Sequence, residues 1–144
     1  MKAGVKIDGV AQLIKNIQLT SAEIHKACKR GIDRTALAIE SDAKRKITAD
    51  RHIITGRLRS SIHAELKEGQ RFDYNDQHGN SFDGSLQESI EEMEAIVGTN
   101  VKYAPYIEYG TKYISADSYL GWAANKNDKL LKARIMHEIE KIRT

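Results

Sequence analysis

Between Thr20 and Ile47 an apolar residue returns at every third or fourth position: Ile24, Cys28, Ile32, Ala36, Ile39, Ala43 and Ile47. Lys26, Lys29, Arg30, Asp33, Glu40, Lys44 and Arg45 take the other faces. That period gives an α-helix a single apolar stripe. It predicts a helix of about 28 residues, opened by a capping box in which Thr20 and Glu23 satisfy each other's backbone N–H groups. At roughly 1.5 Å per residue this helix is about 40 Å long, so it has to cross the whole body as a spine. Ala36, Ala38 and Ala43 are small enough to let a sheet approach it closely.

The remaining segments are shorter. Val5 and Ile7 alternate with Lys6 and Asp8, which predicts a short strand or extended arm, and Val10, Leu13, Ile14 and Ile17 then recur at helical spacing. After Thr55 and Gly56, the residues Leu58, Ser60, Ile62, Ala64 and Leu66 alternate with Arg57, Arg59, Ser61, His63, Glu65 and Lys67, the period-two signature of a half-buried strand. Met93, Ala95 and Val97, alternating with Glu92, Glu94 and Ile96, supply its partner, ended by a turn at Gly98, Thr99 and Asn100. The two make a hairpin with a long tip at about residues 69–91, rich in Gly, Asn, Asp, Ser and Gln and expected to be a mobile acidic loop. Pro105 suits the first turn of a short helix over residues 105–109, which Gly110 stops. Leu120, Ala123, Ala124, Leu131, Ile135, Ile139 and Ile142 mark a last amphipathic helix of about 24 residues. The fold class is therefore α+β: a long N-terminal helix and a C-terminal helix packed on a small antiparallel sheet with an extended hairpin tip.

Composition narrows the function. A chain of 144 residues is the size of one domain, taken here as residues 1–144, with enough core to need no disulfide or metal. No apolar run is long enough to span a bilayer and the first residues lack a secretory pattern, which predicts a protein made and used in solution. The single cysteine, Cys28, fits a reducing compartment and reads as a small buried filler. The five histidines show no metal-ligand spacing, and Asp73, Asn75 and Gln77 depart from a calcium loop at His78 and Gly84. There is no GxSxG elbow, phosphate loop or dinucleotide fingerprint, so neither catalytic residues nor a cofactor is expected.

Charge and aromatic residues are unevenly placed. Residues 1–69 carry 14 Lys/Arg against 8 Asp/Glu, residues 70–100 carry 1 against 7, and residues 101–144 carry 8 against 5. Blocks of alternating sign suit a protein that meets partners, including its own copies, through complementary patches; a solvated face is the plainer alternative. Six of the nine aromatics, Tyr103, Tyr106, Tyr109, Tyr113, Tyr119 and Trp122, lie within twenty residues. Such side chains combine contact area with a polar tip and are enriched at interfaces. Tyr103 and Tyr106 are read as a lid on the core, and part of the remainder as facing a partner subunit.

Two motifs, followed by a C-terminal amphipathic helix, resemble a known family. Thr55-Gly56-Arg57-Leu58-Arg59-Ser60-Ser61-Ile62 is similar to a TGxLRxSI pattern, and Val97-Gly98-Thr99-Asn100-Val101-Lys102-Tyr103-Ala104-Pro105-Tyr106-Ile107-Glu108-Tyr109-Gly110-Thr111 to VGTNVxYAxYxExGT. The chain resembles, over about residues 5–142, the tail-completion or head-tail joining (neck) proteins of long non-contractile-tailed bacteriophages, typified by the tenth gene product of phage HK-ninety-seven. It departs from the family's Arg-Pro-Phe-Leu stretch, having Asp117, Ser118, Tyr119 and Leu120 there. The resemblance implies a phage or prophage structural protein assembled in the host cytoplasm. It implies a homo-oligomeric ring, commonly a hexamer, at the head-tail junction of the virion, touching neighbouring connector or tail proteins. DNA would pass nearby without specific binding, and no membrane would be involved.

Family-motif and interface candidates are Thr55, Gly56, Leu58, Arg59, Ser61, Ile62, Val97, Gly98, Thr99, Asn100, Tyr103, Ala104, Tyr106, Glu108, Gly110, Thr111, Tyr113, Tyr119, Leu120 and Trp122. Gly56 and Gly98 are read as freeing the backbone at strand ends. Arg59 and Glu108, each a lone charge in its motif, are expected to pair within the subunit or across the ring. An alternative is a nucleic-acid-binding module using Lys26, Lys29, Arg30, Arg34, Lys44, Arg45 and Lys46, which requires steeply salt-dependent binding. An enzyme with an unrecognised site is a third.

Overall fold

The computed structural model describes residues 3–7, 21–50, 56–66, 73–75, 81–83, 86 and 93–143. The helix expected around Val10 to Ile17, the Thr20 half of the capping box and Thr55 lie outside the described residues.

The spine forms as the period dictates. Helix α1, Ser21–Ala49, buries Ile24, Ala27, Cys28, Gly31, Ile32, Thr35, Ala36, Ile39, Asp42, Ala43 and Ile47 along one stripe. Its principal neighbour is the C-terminal helix Tyr119–Arg143 rather than a sheet. The small residue that permits the closest approach is Gly31. A Cβ there would overlap the Ile135 side chain and stand 3.1 Å from the Ile135 Cα and 3.2 Å from its nitrogen. Ala36 and Ala43 are buried on the same stripe, while Ala38 is only half-buried; the helix also packs against the strands His63–Leu66 and Ala95–Thr99, as expected, and crosses the C-terminal helix at Gly31.

Polar groups run through this helix pair and set its register. Asn127, on the apolar stripe of the C-terminal helix, donates from Nδ2 to Asp42 Oδ2 at 2.8 Å and accepts at Oδ1 from Arg134 Nη2 at 2.9 Å. Arg134 Nη1 reaches Thr35 Oγ1 at 3.1 Å, and buried Glu138 takes Arg34 Nη1 at 2.8 Å. A buried amide or carboxylate without its partners costs more than an apolar contact gains, so the helices dock at the one offset that satisfies all four.

The sheet has the order β1-β5-β2, with β1 Ala3–Ile7, β2 His63–Leu66 and β5 Ala95–Thr99, all antiparallel. In register, Val97 stands between Val5 and Ala64, and Gly98 between Gly4 and His63. Because β5 is central, all five of its residues are buried, including Ile96 on the face expected to be polar. Gly98 and Thr99 belong to the strand rather than to a turn, and Gly98 keeps a negative φ, which corrects its reading as a flexible strand end.

The expected strand over Leu58 to Leu66 is half helix. Arg57–Ser61 forms α2, where the Ser60 N–H donates to the Gly56 carbonyl at 2.9 Å. Leu58, Ser61 and Ile62 fit helical spacing as well as Leu58, Ser60 and Ile62 fit alternation. The left-handed Gly56, φ 72°, turns the chain into the helical option and buries Ser61 in place of Ser60. Strand β2 is also not half-exposed: His63 and Glu65 are buried, with His63 Nε2 3.1 Å from Glu65 Oε1 and His63 Nδ1 2.8 Å from the Ser61 carbonyl.

Within the expected loop at residues 69–91, β3 (Asp73–Asn75) and β4 (Ser81–Asp83) pair antiparallel, setting Tyr74 opposite Phe82. The buried Leu86 donates its N–H to Glu65 Oε1 at 2.6 Å, tying this excursion to β2. Helix α3, Ala104–Tyr109, starts one residue before the expected Pro105, which lies in its first turn, and stops at Gly110 as expected; the C-terminal helix, α4, has 25 residues.

Candidate assembly face

The two motifs meet at a hydroxyl pair. Val101 N–H donates to Thr99 Oγ1 at 3.1 Å, Thr99 Oγ1 lies 2.5 Å from Ser61 Oγ, and Ser61 Oγ donates to the Leu58 carbonyl at 2.8 Å. Since a carbonyl only accepts, the Ser61 proton is committed to Leu58, and Thr99 must donate to Ser61. The resulting one-way chain locks α2 to the end of β5, with Leu58, Ile62 and Val97 buried beneath it.

Glu108 fixes the next junction. Only 5% exposed, it accepts from Leu120 N–H and Gly121 N–H, both at 2.9 Å, and from Ser118 Oγ at 2.8 Å. Leu120 and Gly121 are in the first turn of α4, where N–H groups have no helical partner and the helix dipole is positive. A carboxylate from α3 therefore caps α4, and Ser118, at the N-cap position, braces it. Gly121 is required by this contact, since a Cβ would overlap Ser118 Oγ and stand 3.1 Å from Glu108 Oε1. The cap forms at the point where the resemblance implied a proline entry and this chain has Asp117 and Ser118. Within the subunit the expected Arg59–Glu108 pair does not form: Arg59 is exposed on α2, and both Glu108 oxygens accept from residues 118–121.

The loop between α3 and α4 is built to hold its shape. Gly110 has φ 77°, and a Cβ on it would come within 2.7 Å of Ala116 nitrogen. Thr111 Oγ1 accepts the N–H groups of Tyr113 and Ile114 at 3.1 Å each, and Asp117 N–H reaches the Ile107 carbonyl at 2.8 Å. On this base the aromatics divide. Tyr119 is fully buried, its hydroxyl toward the Ala104 carbonyl at 3.4 Å, and burial with the nearby Glu108 charge pushes its ionisation far above the ordinary tyrosine value. Tyr106, Tyr109 and Tyr113 are 59%, 65% and 85% exposed, and Tyr103 and Trp122 are also exposed. The expectation that Tyr103 and Tyr106 lid the core is thus overturned: the buried Ala104 fills that place and leaves the tyrosines outside. Lysines border the shelf, with Lys112 Nζ 4.9 Å from the Tyr113 ring and Lys46 and Lys126 Nζ 5.7 and 5.1 Å from Trp122.

The remaining candidates have structural settings. Asn100 is half-buried where β5 ends, and Leu120 is in the core. Cys28 is buried, and desolvation pushes its thiol up, away from the reactive thiolate. Among the described residues no three His, Cys, Asp or Glu side chains gather to hold a metal, and no helix is long and apolar enough to cross a membrane. The basic residues of α1 are largely engaged by carboxylates: Arg34 with Glu138, Lys44 with Glu40 at 2.7 Å, and Lys46 with Asp50 at 2.6 Å and Asp117 at 3.0 Å.

The described residues form a helix-framed α+β body that carries an exposed aromatic shelf. A family model matches residues 11–110, and the chain belongs to the HK97-gp10-like family, described as "Bacteriophage HK97-gp10, putative tail-component". It is a phage structural tail protein. The match takes in the first motif and all of the second but Thr111, so β1 and α4 lie beyond it, a shorter span than the expected residues 5–142. Neither the curated proteins nor the solved structures contain a match.

Proposed function

We propose that the protein completes or joins the phage tail at the head-tail junction, as a ring of copies held by subunit interfaces, six being the expected number. The observation that carries this reading is the shelf: five exposed aromatics in residues 103–122, mounted on a capped helix and a threonine-braced loop. An exposed apolar patch of this kind on a small protein is costly unless a partner covers it. Family membership and alternating charge blocks support the same reading. The chain works by shape and charge as a single domain, without turnover or cofactor. It is assembled in the host cytoplasm and retained in the virion. Its acidic excursion at residues 70–90 lines the channel or touches the next ring, where negative charge lets DNA slide past because phosphate binding needs cations.

The test is sedimentation velocity and negative-stain microscopy of the purified protein, alone and mixed with isolated tails. Rings, free or at the tail end, are expected. A monomer at every concentration that also fails to bind tails would overturn the proposal, and DNA retention in a low-salt gel shift would transfer the function to the basic helix. Removing residues 73–83 tests the excursion while keeping Leu86 on Glu65: the fold should persist and joining should fail.

A further inference from the structure

The ring reading leaves open which surfaces meet, and the inference here rests on it. All nine aromatics fall in two segments: Phe72, Tyr74 and Phe82 in the acidic block, and the six of residues 103–122. Of the second set only Tyr119 is buried in the core, which among the described residues is otherwise built from Ile, Ala, Val, Leu and Cys28. Along the sequence the aromatics thus form two groups with opposite charge around them, and five of the six in the second group are exposed. The shelf has Lys102, Lys112 and Lys126 beside it, whereas residues 70–100 carry seven acids and one base.

Topology separates the two groups. The sheet order is β1-β5-β2. Helices α3 and α4, which carry the shelf, lie against β1, while β3 lies against α2, which leads directly into β2. The β3–β4 ladder and the shelf therefore flank opposite edges of one three-stranded sheet. A contact between unlike surfaces at opposite edges is heterologous, the type that propagates from copy to copy and closes into a ring.

We infer that the shelf of one copy, centred on Tyr106, Tyr109 and Tyr113 with Lys102 and Lys112, receives the acidic β3–β4 ladder of the next copy. In the ladder's register Asp73 stands opposite Asp83 and Asn75 opposite Ser81, one position either side of the Tyr74–Phe82 pair, so the acidic pair shares a face with Ser81, and that acidic face is the one that meets Lys102 and Lys112. Aromatic residues supply contact area, and opposite charge selects the unlike face over the like one.

The experiment is a charge exchange. Lys102→Glu/Lys112→Glu reverses the shelf, and Asp73→Lys/Asp83→Lys reverses the ladder. Each variant alone should self-associate about tenfold more weakly than wild type in sedimentation, and an equimolar mixture should recover association, since reversed shelf then meets reversed ladder. Circular dichroism melts identify a variant that has simply unfolded. A second readout uses single cysteines: Tyr113→Cys mixed with Ser81→Cys should form the mixed disulfide faster than either forms its own. Preferential Tyr113→Cys homodimers, or charge variants that associate like wild type, would overturn this contact while leaving ring formation standing. A wild type that never associates, alone or on tails, overturns both.

Discussion

Glu108 and Tyr109 are neighbours in the same short helix and opposites in use. The first turns inward and spends both carboxylate oxygens on the first turn of α4, while the second is 65% exposed. The difference separates two demands within one motif: residues that make the shelf rigid and residues that make it adhesive. Their loss should have different signatures, one in stability and the other in association alone.

The rigid side breaks hardest where the helices cross. Gly31→Val drives two methyl groups into the Ile135 backbone and should destabilise by about 3 kcal/mol or more in urea titration, splaying α4 and carrying the shelf with it. Next is the cap. Glu108→Ala strips the acceptor from two helix N–H groups and from Ser118, with an expected loss of about 2–3 kcal/mol. Glu108→Gln keeps the shape and one acceptor oxygen and should lose about half of that; a Gln variant as damaged as Ala would show that the cap depends wholly on the charge and the second acceptor oxygen, and an undamaged one that shape carries it.

A smaller effect is confined to alkaline solution. Tyr119 ionises in the unfolded chain at its ordinary value of 10.0 but is held protonated well above that in the fold, by burial first and the Glu108 charge second. Its contribution is therefore complete below pH 10 and withdrawn as pH rises, by up to about 1.4 kcal/mol per pH unit until the folded tyrosine also ionises. Tyr119→Phe should cost under about 1 kcal/mol at pH 7, the hydroxyl's bond being long, and should flatten the loss above pH 10. The adhesive side should register least in stability: Tyr106→Ser/Tyr109→Ser is expected to change unfolding by less than about 0.5 kcal/mol while abolishing self-association. A large loss of stability there would erase the distinction between the two neighbours.

Legibility follows the length of each pattern. The stripe from Ile24 to Ile47 repeats often enough to admit one reading, and α1 forms over Ser21–Ala49. The run from Leu58 to Leu66 is short enough to fit two periods, and a single left-handed glycine settled it. Asn127 and Glu138 carried no warning of burial, because a polar residue on an apolar stripe is interpretable only once its partners, Asp42 and Arg34, are known. At the candidate site the two motifs were visible as strings, yet Glu108 was paired with the wrong residue: a lone charge calls for a partner without specifying which. The capped helix begins beyond the matched motif, at Tyr119, eleven residues after Glu108.

By itself the sequence determined the elements whose cause is local: helical period, Pro105 opening and Gly110 closing a short helix, and the clustering of aromatics into two charged surroundings. Tertiary structure alone decided which residues satisfy one another and which tyrosine goes inside, since burial and long-range hydrogen bonds depend on distances that no stretch of chain fixes before the others are in place.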